Sequence, residues 1–260
     1  AIKQEIAQID TWKEQLREAT LEVRQVLEET LKKYGVKNFY FPKDEDIYPC
    51  GYYLYHAQNQ ERRPFSTSGE AYILNGAIFI NMEYITTHYQ DQAAQVAAFK
   101  ETLIHEIVHD ASTHNYWHYT TDAKTVDEYF PRRLGLMFWR GQESNATEER
   151  GRGLTEAVTQ EIALEAVREM FPDWGDRGIY AGERKILGIL IKDYRIPKEL
   201  FVQTLTDRKR LPKLIREMES PREGKKYEYM SKESVGLYSF SIMAGLMNYE
   251  ASIGQYDYSL

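Results

Sequence analysis

Asp91-Gln-Ala-Ala-Gln-Val-Ala-Ala-Phe-Lys-Glu-Thr-Leu-Ile-His-Glu-Ile-Val-His-Asp110 contains neither proline nor glycine and is rich in alanine. Its apolar residues Val96, Ala97, Leu103, Ile104, Ile107 and Val108 form a helical stripe, so the stretch reads as a long helix that packs into a core. Late in that helix stand His105, Glu106 and His109. At about 100° per residue, the two imidazoles lie about 40° apart on adjacent turns, with Glu106 on the same side.

That spacing meets three chemical requirements together. Zinc takes neutral imidazole nitrogens, and an i, i+4 pair on a rigid helix supplies two of them without ordering a loop. The bound metal lowers the pKa of its water toward neutrality. A neighbouring carboxylate can take the proton as that water attacks a carbonyl, which makes Glu106 the expected general base.

Working outward, residues 3 to about 34 read as one helix, with Ile6, Ile9, Trp12, Leu16, Leu21, Val23, Val26, Leu27 and Leu31 among many charges and Gly35 ending it. Aromatic and β-branched runs follow at Val36–Phe41, Gly51–Tyr55, Ala71–Leu74 and Ala77–Ile80. They predict a small sheet ahead of the motif helix, with Asn75-Gly76 as a hairpin turn. After the motif, Arg132–Trp139 predicts a short strand and Gly141–Gly153 an exposed loop. Helices are expected at Leu154–Phe171, about Gly182–Tyr194, Pro197–Leu205 and Pro212–Glu219, and Ser234–Tyr249 is a further candidate.

Composition bounds the rest. The single cysteine, Cys50, excludes a disulfide framework and a cysteine-rich metal site, so a metal must be held by His and carboxylates. A net charge of −7 argues against a general nucleic-acid binder, and no apolar run approaches the length of a membrane span. No signal-like N-terminus is visible, and a start at Ala1 fits removal of a leader or of a further domain. A soluble protein is expected, with the cytoplasm slightly favoured over export.

A catalytic zinc site usually has three protein ligands and one water, so two histidines are not enough. The best third candidate is Glu156, in Gly151-Arg-Gly-Leu-Thr-Glu-Ala-Val-Thr-Gln-Glu-Ile-Ala163, near the start of a helix whose stripe is Leu154, Ala157, Val158, Ile162, Ala166, Val167 and Met170. A carboxylate at a core boundary needs a partner. A plain alternative is a glutamate at a helix N-terminus stabilised by the helix dipole. Glu161, Asp127, Glu128, His114 and His118 are weaker ligand candidates. Asp110, about 100° around the helix from His109, is better placed as a supporting partner or cap.

On the motif helix, the run Asn75-Gly-Ala-Ile-Phe-Ile-Asn81 and Gly153-Leu-Thr-Glu-Ala-Val-Thr159, the chain resembles the gluzincin-type zinc metallopeptidases, and its bacterial members most. The resemblance implies zinc (Zn2+) held by His105, His109 and Glu156, with Glu106 as base. The chain departs from the group's pattern in a longer interval between His109 and Glu156, and in Gln160 where an Asp is expected. The implied fold is α+β and zincin-like: one catalytic domain over 1–260, with an N-terminal helix (1–35), a small mixed sheet and the motif helix (36–115), and a mainly helical lobe (116–260).

The expected activity is hydrolysis of peptide bonds in a peptide or protein substrate, bound in extended form beside an edge strand near Ala77–Asn81. Charge builds on the carbonyl oxygen during attack, so a donor is needed there. Tyr180, in the Gly-flanked run Gly178-Ile-Tyr-Ala-Gly182, is the first choice, with Tyr116, Tyr119 and His118 behind it. Asp110, Gln160 and Glu183 are candidates to orient the imidazoles. Two other readings stand beside this one: a non-catalytic zincin-like binding module, and a zinc amidase acting on a non-peptide amide.

Overall fold

The computed structural model describes residues 2–53, 67–71, 76–114, 133–134, 136–140, 148–150, 152–192, 194–210, 213–214 and 217. Among the described residues the architecture is α+β, mostly helical, with two small three-stranded sheets.

Helix α1 (Ile2–Lys33) buries Trp12, Leu16, Ala19, Val23, Leu27 and Leu31. They recur every three or four residues, which is one face of a 3.6-residue helix. Ile6 and Leu21, expected on that stripe, are exposed. Leu21 sits two residues from Val23 and so points about 200° away from it. Gly35, at φ +72, follows the helix in the left-handed conformation that glycine adopts without steric cost.

The aromatic run Val36–Phe41 is not a strand. Its rings pack instead of pairing: Phe39 and Phe41 meet edge to face at 4.8 Å, and the Arg24 guanidinium lies 6.0 Å from the Phe41 ring centre. The first strand, β1 (Ile47–Cys50), comes before the expected Gly51–Tyr55 segment, and Tyr52 and Tyr53 are helical. β1 contains Pro49, which a strand tolerates at the edge of a sheet.

β2 (Gly69–Ala71) and β3 (Ile78–Asn81) complete a mixed sheet in the order β1-β3-β2. β1 runs parallel to β3, with Ile47 opposite Ile78 and Cys50 opposite Asn81. β2 runs antiparallel, with Gly69 opposite Ile80 and Ala71 opposite Ile78. All four residues of β3 are buried, as suits a central strand. This corrects the expectation that Ala77–Asn81 offers a free edge, because β3 is paired on both sides. Among the described residues the edge on the antiparallel side belongs to β2. Gly76, at φ +68, lies just before β3, while Asn75 lies outside the described residues.

Asn81 ends β3 and begins helix α2 (Met82–His88), its side chain accepting from the Tyr84 N–H at 2.9 Å. Asp91 then caps α3 (Gln92–His114), accepting from the Ala94 N–H at 2.8 Å. A second, antiparallel sheet follows, β4 (Arg133–Leu134), β5 (Met137–Arg140) and β6 (Glu148–Arg150). Two strands thus stand where one was expected, and β6 lies inside the expected Gly141–Gly153 loop. Helices α4 (Arg152–Met170), α5 (Ala181–Lys192) and α6 (Lys198–Thr206) lie within a few residues of their expected limits. Of the two remaining helical candidates, only Lys213, Leu214 and Glu217 fall among the described residues.

The chain divides into two compact units. One comprises Ala1–Lys33, Lys37–Ala111 and Ile162–Asp176; the other comprises Tyr34–Val36, Ser112–Glu161 and Arg177–Leu260. The first contains α1 and the mixed sheet, the second contains the antiparallel sheet, α5 and α6. Helices α3 and α4 are each continuous and belong to both.

Candidate metal centre

From Ala97 to Ser112, every residue of α3 except His109 is buried. The helix is therefore not amphipathic at the motif, as a surface helix would be, but enclosed on all sides. His105 is 8% exposed and Glu106 7%. Imidazole and carboxylate groups withdrawn from water in this way need compensating partners, and His109 is the residue through which the segment meets its surroundings.

The two imidazoles face each other. His105 Nε2 and His109 Nε2 stand 3.0 Å apart, with the rings inclined at 70°. At that distance one N–H donates to the lone pair of the other ring, or both lone pairs turn to a shared cation. Glu156 joins them from α4: one ligand atom from each of His105, His109 and Glu156 lies within 4.8 Å of the others. The Glu156 side chain is 12% exposed, and Arg152 Nε lies 3.8 Å from its Oε1.

The residues fit a metal ion by both chemistry and spacing. Two imidazoles and one carboxylate form a donor set used by catalytic zinc, and a tetrahedral shell at about 2.0–2.1 Å places its donors roughly 3.4 Å apart. The three donors, within 4.8 Å of one another, stand close to that spacing. The helix-dipole account of Glu156 loses its basis, because α4 has no acidic residue in its first turn and Glu156 stands in the second.

Glu106 lies beneath β2. Next to Gly69 the nearest atoms that an added side chain would meet belong to Thr102 and Glu106, one helical turn apart on α3. Glu101, the residue just before Thr102, is fully buried and accepts a hydrogen bond from the Trp174 indole N–H at 2.5 Å. Asp110 is also buried, and burial first, then the charge of Asp46, pushes its carboxyl up to about 7.

The other expected residues are distributed as follows. Tyr180 immediately precedes α5 at φ 51, uncommon for a residue with a side chain, and its carbonyl accepts from the Arg184 N–H at 2.9 Å. Gln160 and Glu183 are buried on α4 and α5. Glu161 binds Arg184 at 2.7 Å and Lys198 at 3.4 Å, an ion-pair role that leaves it outside the donor cluster. His114 ends α3, and Tyr116, His118, Tyr119, Asp127 and Glu128 lie outside the described residues.

Sequence reasoning passed over Ser68, Gly69, Thr102 and Glu101. A lone glycine in a short strand is a signal of close backbone approach, but it carries that meaning only once the strand is located. Comparison with known proteins finds no matching family model, no similar curated protein and no similar solved structure.

Proposed function

We propose that this chain is a zinc-dependent metallopeptidase of the gluzincin type. The observation that carries the reading is the convergence of His105, His109 and Glu156 beside a buried Glu106 on the same helix. When bound, zinc supplies Lewis acidity, making water acidic near neutral pH and polarising a substrate carbonyl.

In this reading His105, His109 and Glu156 hold the ion. A Glu106 carboxylate oxygen takes a proton from the attacking water as the C–O bond forms. It returns that proton to the departing amine nitrogen as the C–N bond breaks. Burial keeps the Glu106 carboxylate out of bulk solvent. The edge of β2 is the natural guide for an extended peptide, which would add as a further strand through backbone hydrogen bonds. Tyr180 is the proposed donor to the developing oxyanion.

The test is a Glu106→Gln variant measured for both metal and turnover. It is expected to retain about one zinc per chain while cleavage of unstructured peptides falls by about 10²–10⁴-fold. Tyr180→Phe is expected to lose less, about 10- to 100-fold. Undiminished cleavage by Glu106→Gln contradicts the mechanism. Tightly held zinc with no hydrolysis of any peptide or amide would point instead to a binding module.

A further inference from the structure

The backbone does not demand glycine at position 69. Gly35, Gly76 and Gly178 have positive φ, the region where a side chain is strained, and Gly69 is not among them. Space demands it. A Cβ at position 69 would lie 2.7 Å from Thr102 Cγ2, 2.9 Å from Glu106 Cγ and 3.1 Å from Glu106 Oε1. Contacts this close cannot persist, so a side chain there must displace β2, Thr102 or the Glu106 carboxylate.

The strand is poorly able to yield. Ser68 Oγ accepts from the Thr102 hydroxyl at 3.1 Å, and the Ser68 carbonyl accepts from the Asn81 N–H at 2.9 Å. Gly69 itself pairs with Ile80 in the ladder. Thr102 sits on an enclosed stretch of α3, so its methyl has little room to retreat. Glu106, with three side-chain torsions, is the group that gives way. A glycine inside a strand costs stability relative to alanine, so its presence here calls for a reason in what lies beneath it.

We infer that Gly69 is a positioning residue for Glu106: its bare backbone forms one wall of the carboxylate's seat and limits which rotamers the base can adopt. This rests on the hydrolase reading, in which the placement of that carboxylate sets the rate. Any side chain at position 69 moves the base off its proton while leaving His105, His109 and Glu156 in place.

The experiment compares Gly69→Ala with Glu106→Gln in the zinc-loaded chain, and melts Gly69→Ala alone, with Thr102→Ser and with Glu106→Ala. Thr102→Ser removes the closest methyl and keeps the hydroxyl that meets Ser68. Gly69→Ala is expected to keep about one zinc and a KM within about threefold, while kcat falls about 100-fold. Its melting point is expected to drop by about 5 °C on the native background. That drop should shrink by at least half beside Thr102→Ser or Glu106→Ala, where one source of crowding is gone. Full kcat in Gly69→Ala, or the same loss of melting point on all three backgrounds, overturns the inference while an inactive Glu106→Gln leaves the hydrolase reading standing. Undiminished cleavage by Glu106→Gln overturns the hydrolase reading and the positioning role with it.

Discussion

Helices α1 and α3 are both long and uninterrupted, yet they solve different problems. α1 turns one stripe inward and leaves the rest to solvent, where pairs such as Glu14 with Arg17 and Glu28 with Lys32 decorate an exposed face. α3 is enclosed from Ala97 to Ser112, and the enclosed residues include Lys100, Glu101, Thr102, His105, Glu106 and Asp110. The polar groups on that exposed face of α1 can be exchanged without touching the core, although Glu5, Thr20 and Thr30 lie buried elsewhere on the helix. Polar groups on α3 are held inside it at a cost of desolvation, and that cost makes sense where chemistry requires those groups.

The contrast can be broken most forcefully through stability. Ile104→Ala removes a side chain that is fully buried on α3 and is expected to cost about 2–5 kcal/mol in a denaturant titration. Leu21→Ala on α1, where Leu21 is 76% exposed, is expected to change stability by less than about 0.5 kcal/mol. Equal effects would mean that α3 is not enclosed as described.

Metal binding sharpens the same contrast. Zinc at about 100 times its dissociation constant is expected to stabilise the native chain by about 2.7 kcal/mol. His109→Ala should abolish that gain, whereas His88→Ala, which removes an exposed imidazole stacked on Tyr84, should leave it intact. Thermal unfolding with and without zinc reads both outcomes.

A smaller effect concerns the buried acid of α3. Glu101→Ala leaves the Trp174 indole N–H without its carboxylate acceptor and is expected to cost about 1–3 kcal/mol. Glu14→Ala on α1 should leave the unfolding midpoint unchanged. Smallest of all is a chemical readout. Cys50 is fully buried, its thiol meets the Ile80 carbonyl at 3.5 Å, and burial raises its pKa far above the usual range. A thiol reagent at pH 8 should label it only as the chain unfolds.

What the sequence made legible follows the same physical division. Long segments with helical spacing announced α1, α3 and α4, because a buried stripe or an unbroken run of helix formers is a local signal. Strands were less legible. Pro49 concealed β1, which tolerates it only as an edge strand, and the rings of Phe39 and Phe41 mimicked a strand while packing on one another. Ladder position is a property of the whole sheet, so Ile78–Asn81 could be read as a strand but not as the central one. Of the donor cluster, His105 and His109 declared themselves by spacing, and Glu156 by its place on a buried helix. Gly69 did not, since its meaning depends on Thr102 and Glu106, more than thirty residues downstream and adjacent only after folding.

The most direct test of the central claim is a zinc titration of the metal-free chain, compared with Glu156→Gln. One ion should bind per native chain, and affinity should fall by about 100-fold or more in the variant, with the fold retained. Identical affinity in the two proteins, or no stoichiometric binding to the native chain, would contradict a centre built from His105, His109 and Glu156.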